Sequence, residues 1–98
     1  MLTVVATFVM APDIEVAWDE VWPRVCDACR QQAGFRQARL MRDTNSPRRY
    51  MVHSEWEDRE HANRFVRTAG LLWLLRGLDF LAEHPTIMYL DAVADVAP

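Results

Sequence analysis

The first run of the chain, Leu2-Thr-Val-Val-Ala-Thr-Phe-Val-Met10, constrains the fold most. It is rich in β-branched and aromatic residues, and Ala11-Pro12-Asp13 stops it, so it reads as a strand. Side chains alternate along a strand, which puts Leu2, Val4, Ala6, Phe8 and Met10 on one face and Thr3, Val5, Thr7 and Val9 on the other. Both faces are too apolar to be left to water. A fold that accepts this strand must cover it twice: helices cover one face, and a second copy of the chain is the simplest cover for the other.

From Asp13 the period changes. Ile14, Trp18, Val21, Trp22, Val25 and Cys29 recur at helical spacing, with Asp19, Asp27, Arg30 and Gln31 away from that stripe. Pro23 falls inside the run, where it either kinks the helix or marks a true start near Trp22. Gly34 supplies a stop. Phe35–Asp43 alternates and reads as a second strand. Thr44-Asn-Ser-Pro47 is a turn and Arg48–Trp56 a third strand, so the two form a hairpin. A helix is expected from about Asp58 to Thr68, and Ala69-Gly70 breaks it. A further helical piece follows over Leu71–Glu83, ended by His84-Pro85, and then a last strand over Thr86–Val93. Strand, helix, strand, strand, helix, strand is the split βαβ order of an α+β, ferredoxin-like domain spanning residues 1–98. It predicts a four-stranded antiparallel sheet with helices on one face, the other face paired in a dimer.

Charge narrows the functional classes. The net charge of −3 argues against a nucleic-acid partner, which would call for a basic face. No apolar run is long enough to span a bilayer and no secretory leader is recognisable, so a soluble, cytoplasmic protein without a membrane partner is expected. Cys26 and Cys29 should then be reduced thiols. Their C-x-x-C spacing lies within a helix rather than at its N-terminus, and no further zinc ligands stand at suitable spacing.

Chemistry concentrates at Tyr50-Met-Val-His-Ser-Glu-Trp56-Glu-Asp58. Strand parity sets Tyr50, Val52, Ser54 and Trp56 on one face and Met51, His53 and Glu55 on the other. An indole at the lip where strand meets helix is well placed to line a small-molecule pocket. His53 points away from Trp56, towards the expected dimer interface. His61, between Glu60 and Arg64, reads as solvated. Arg36, Arg39, Arg42, Arg48 and Arg49 gather on the hairpin and read as a solvated, salt-bridged surface. Glu55, Glu57, Asp58 and Glu60 favour the start of the next helix through its dipole.

The Ala33-Gly34-Phe35 step, Leu40-Met-Arg-Asp43, Tyr50-x-x-x-Ser54-Glu55-Trp56-x-Asp58 and the following Phe65 helix together resemble the antibiotic-biosynthesis-monooxygenase family of dimeric α/β barrels. The resemblance implies a homodimer and a cofactor-independent monooxygenase that oxidises an aromatic, polyketide-type anthrone or quinol with dioxygen. A cyclase or isomerase, or a non-catalytic ligand-binding dimer, are alternatives on the same scaffold. Trp56 is the expected catalytic residue, with Thr7, Tyr50, Val52, Ser54, Phe65, Leu72, Trp73 and Trp22 lining the substrate site. Haem-degrading relatives carry an asparagine on the first strand and an axial histidine nine or ten residues after the tryptophan. Thr7 and Phe65 or Val66 stand at those places here, which disfavours haem.

Overall fold

A computed structural model describes residues 1–68, 81–82 and 85–98. The elements are β1 (Leu2–Val9), α1 (Trp18–Arg30), β2 (Phe35–Arg42), β3 (Arg49–Trp56), α2 (Arg59–Thr68) and β4 (Thr86–Asp91). They form one antiparallel sheet in the order β2-β3-β1-β4, the ferredoxin-like arrangement expected from the alternation of periods. β1 lies inside the sheet, paired with β3 (Leu2 opposite Trp56, Val4 opposite Ser54, Ala6 opposite Val52, Phe8 opposite Tyr50) and with β4. Placing the most apolar strand between two others buries it from both edges.

Both helices cover the same face. Val25 and Cys29 of α1 and Ala62 and Phe65 of α2 join Leu2, Val4, Ala6, Phe8, Val52 and Trp56 in a single core. The opposite face carries Val5, Thr7, Met41, Met51, His53, Met88 and Leu90, and no element among the described residues lies over it.

Two boundaries differ from the sequence reading, and one open choice is resolved. The first helix begins at Trp18, not Asp13. Ile14, Val16 and Trp18 are half-buried while Glu15 and Ala17 are exposed, so this stretch approaches the core with a period of two, as extended chain. The helix then runs unbroken through Pro23, which resolves the open choice there. Pro23 and Asp19 are both exposed, so the Asp19 carbonyl that loses its helical partner is left to water. The helical piece expected over 71–83 falls largely outside the described residues, as do Leu72 and Trp73. At Leu81, however, the chain is already bridged to Met10, and the Ala82 amide donates to the Val9 carbonyl at 2.8 Å.

Candidate functional site

The helix-covered face holds two groups of aromatic rings. In the inner one Trp56 is fully buried, tilted on Phe65 at 4.8 Å between ring centroids and edge-on to Phe35 at 5.4 Å. Burying an indole commits its N–H to find a partner. Nε1 donates to Ser54 Oγ at 3.0 Å, and that hydroxyl points on to the Val4 carbonyl at 3.5 Å. The i, i+2 spacing makes this pair possible, because both side chains leave β3 on the same side. In the outer group Tyr50 stacks on Phe8 at 5.7 Å with 14° between planes and meets Trp18 at 5.1 Å. Tyr50, Trp18 and Trp22 are half-buried and form the accessible border of the aromatic layer.

Of the expected lining residues, Tyr50, Val52, Ser54, Trp56, Phe65 and Trp22 therefore share one side of the sheet. Thr7 does not join them. It stands opposite Met51 and Thr86 in register, on the other face, and its hydroxyl is hydrogen-bonded to that of Thr86. Its register also sets it five residues along β1 from Leu2, the partner of Trp56, and parity turns it away from the indole. Leu72 and Trp73 lie outside the described residues.

The corner after Trp56 is built with care. Asp58 caps α2: its Oδ1 accepts the His61 amide at 3.0 Å and lies 2.7 Å from His61 Nδ1. Those bonds from the His61 amide and ring hold the Asp58 carboxyl below its ordinary range. The His61 ring in turn rests on Gly34, where a Cβ would come within 2.5 Å of His61 Cγ. Gly34 has φ +80°, a left-handed conformation that suits glycine, and its carbonyl accepts the Glu57 amide at 2.7 Å. The start of β2, and with it Phe35, is thereby pinned to the turn that carries Trp56. This latch and the contribution of Trp18 were missed by the sequence reading. The Asp58-x-x-His61 spacing, a cap residue and its third helical position, was the available signal.

The remaining candidates take structural places. Cys29 is buried and its thiol is pushed up to about 12, first by burial and then by Cys26, with Arg30 opposing. A thiol so disposed is inert as a nucleophile. His53 faces away from Trp56 between Val5 and Arg39, in an open hollow of about 470 Å³ shared with Gln37, Met41 and Glu55. Arg48 reaches the Met10 carbonyl at 3.2 Å, tying the hairpin to β1. Among the described residues no group of three His, Cys, Asp or Glu side chains is placed to hold a metal ion. None of the described helices is long and apolar enough to cross a membrane.

This sheet order, with the aromatic layer under two helices, defines a small ferredoxin-like α+β protein. The antibiotic biosynthesis monooxygenase family model matches residues 1–72, and the chain belongs to that family. Solved structures agree in fold. A protein described as an antibiotic biosynthesis monooxygenase is 24% identical over 96% of this chain and 100% of its own, with a TM-score of 0.71. SnoaB from Streptomyces nogalater, described as a cofactor-independent oxygenase, is 21% identical over 99% of this chain and 97% of its own, with a TM-score of 0.74. Rv0793 from Mycobacterium tuberculosis is 14% identical over 98% of each chain, with a TM-score of 0.76. No curated protein sequence matches this chain.

Proposed function

We propose that this protein is a homodimeric, cofactor-independent monooxygenase that oxidises an aromatic, polyketide-type substrate such as an anthrone or quinol. Family membership supports an oxygenase, and the description of SnoaB as a cofactor-independent oxygenase supports the absence of metal or flavin. The observation that carries the reading is the aromatic layer itself. Trp56 is immobilised between Phe35 and Phe65 by its bond to Ser54, and Tyr50, Trp18 and Trp22 offer ring surface at the border. The half-buried rings of Tyr50, Trp18 and Trp22 give a flat aromatic molecule surface to stack on, and the buried Trp56 and Val52 back that border from within.

Because the Trp56 N–H is already engaged, its role is to set the shape and electronic surroundings of the site, not to donate to substrate. The chemistry then lies in the substrate. Loss of a proton from the anthrone methylene gives an enolate, which passes one electron to dioxygen. The carbon radical and superoxide combine and take up a proton, forming a hydroperoxide. Loss of water from that group leaves the quinone carbonyl, so one O₂ converts CH₂ to C=O plus H₂O. Holding the ring planar and dry favours the enolate and the electron transfer.

Oxygen uptake with an anthrone or hydroquinone tests this, comparing wild type with Trp56→Phe and Tyr50→Phe. Wild type should consume oxygen well above the buffer rate, and both variants should slow it. Turnover that proceeds equally without oxygen would point to a cyclase or isomerase. Saturable quenching of tryptophan fluorescence with no product would point to a binding protein.

A further inference from the structure

The outer side of α2 differs in charge from the chain as a whole. The net charge is −3, yet Arg59, Glu60, Asn63, Arg64 and Arg67 line an open hollow of about 490 Å³ in which three arginines stand against one glutamate. Glu60 is paired with Arg64 at 3.3 Å, so Arg59 and Arg67 are the charges on offer. Arg67 is exposed and makes no ion pair among the described residues. Core packing does not explain the arrangement, because Ala62 and Phe65 turn the opposite side of the same helix inward.

Helix stability does not explain it either. Arg59 stands in the first turn of α2, where the macrodipole favours acids. Its guanidinium lies 5.0 Å from the centroid of the Tyr89 ring on β4, a contact that fixes one end of the face. Arg59, Asn63 and Arg67 follow at intervals of four residues and form a row. The row runs about 12 Å along the helix, with an amide donor between two cations.

That length selects among anions. A single phosphate is shorter than the row and would engage one end of it. A long polyanion such as nucleic acid would be repelled by the acidic remainder of the chain. An acidic helix has the same rise per residue as α2. Carboxylates four and eight residues apart on such a helix meet Arg59, Asn63 and Arg67 in register.

We infer that the outer face of α2 docks an acidic helix of another protein, with its carboxylates on Arg59 and Arg67 and Asn63 donating between them. The surface lies outside the aromatic layer and stands independently of the oxygenase reading. It gives α2 two roles: Phe65 backs Trp56 from within, and the arginines recruit a partner from without.

A nuclear magnetic resonance titration tests this, using an alanine-rich helical peptide with glutamates four and eight residues apart and its lysine-substituted twin. At low salt the acidic peptide should move the α2 amide signals saturably, and the lysine twin should not. Rising salt should weaken the binding, since the contacts are between exposed charges. Arg67→Glu should weaken it at least about fivefold, and Arg67→Gln by less. Arg24→Glu, the same charge change at an exposed site on α1, should leave it unchanged. Circular dichroism checks that each variant is folded. Equal weakening by Arg24→Glu would reduce the effect to net charge and overturn the inference. No shift, or shifts centred on the hairpin arginines, would overturn it as well. Pyrophosphate moving the same signals at lower concentration than the peptide would mark a small-anion site instead. Movement of those signals on concentrating the protein alone would make a second copy the occupant and remove the foreign partner.

Discussion

The two faces of the sheet begin from similar sequence and end in opposite states. Along β1, Leu2, Val4, Ala6 and Phe8 face the helices, and Thr3, Val5, Thr7 and Val9 face away, both sets apolar enough to need cover. On the helix side the core is closed: Phe8 is 1% exposed and Trp56 not at all. On the other, Met88 and Leu90 are 49% and 42% exposed. The strand that decides between them is β3, which brings Val52, Ser54 and Trp56 to one side and Met51, His53 and Glu55 to the other. Large rings with one internal bond can be sealed under helices. An imidazole, a carboxylate and a flexible thioether suit a surface that meets water or a partner.

The largest expected difference between the faces is mechanical. Trp56→Ala should cost about 3–5 kcal/mol in urea denaturation, because removing a buried ring leaves a cavity. Met88→Ser, measured at dilutions where the protein is monomeric, should stay within about 0.5 kcal/mol. Equal costs would mean that the second face is also sealed within one chain.

The latch beneath the closed face comes next. Gly34→Ala should destabilise by about 1–3 kcal/mol from left-handed backbone strain, with the overlap on His61 added to it. In a His61→Ala background the same change should cost less, and a double-mutant cycle reads the difference. An unchanged cost would show that His61 and Gly34 are not coupled.

Ser54→Ala sharpens the polar part of the closed face, since it strands the Trp56 N–H in the core. A loss of about 1–3 kcal/mol in the same denaturation is expected. In the Trp56→Phe background, where no N–H remains, Ser54→Ala should be nearly silent.

The smallest effect is at the exposed Asp58 cap. Its carboxyl is held below the ordinary range by bonds from His61, so the unfolded chain takes up this proton at higher pH than the folded one. The stability it contributes is therefore fully present above the ordinary carboxylate value and is lost as pH falls through the lowered, folded one. Asp58→Asn should flatten that part of the acid limb in a pH series of thermal melts, and a limb that stays unchanged would mean the cap is not linked to folding.

Much of this is legible in the sequence. β2, β3 and β4 follow alternation and turn residues to within a residue or two, and α2 starts directly after Asp58. The face shared by Tyr50, Val52, Ser54 and Trp56 follows from parity alone. The start of α1 was not legible, because Ile14, Val16 and Trp18 fit a period of two and Ile14 and Trp18 also fit a helical one. Adjacency of β1 and β3 suggests Thr7 beside Trp56, but a paired strand keeps the two parities apart.

The sequence by itself determined the order of elements, the family, and which residues of each strand travel together, since all of these depend on local period and short motifs. Tertiary structure decided which side of β1 would be sealed, that the Trp56 donor would be spent on Ser54, and that His61 would sit on Gly34. Those outcomes join residues far apart in the chain, and local periodicity is the same whichever neighbour a strand acquires.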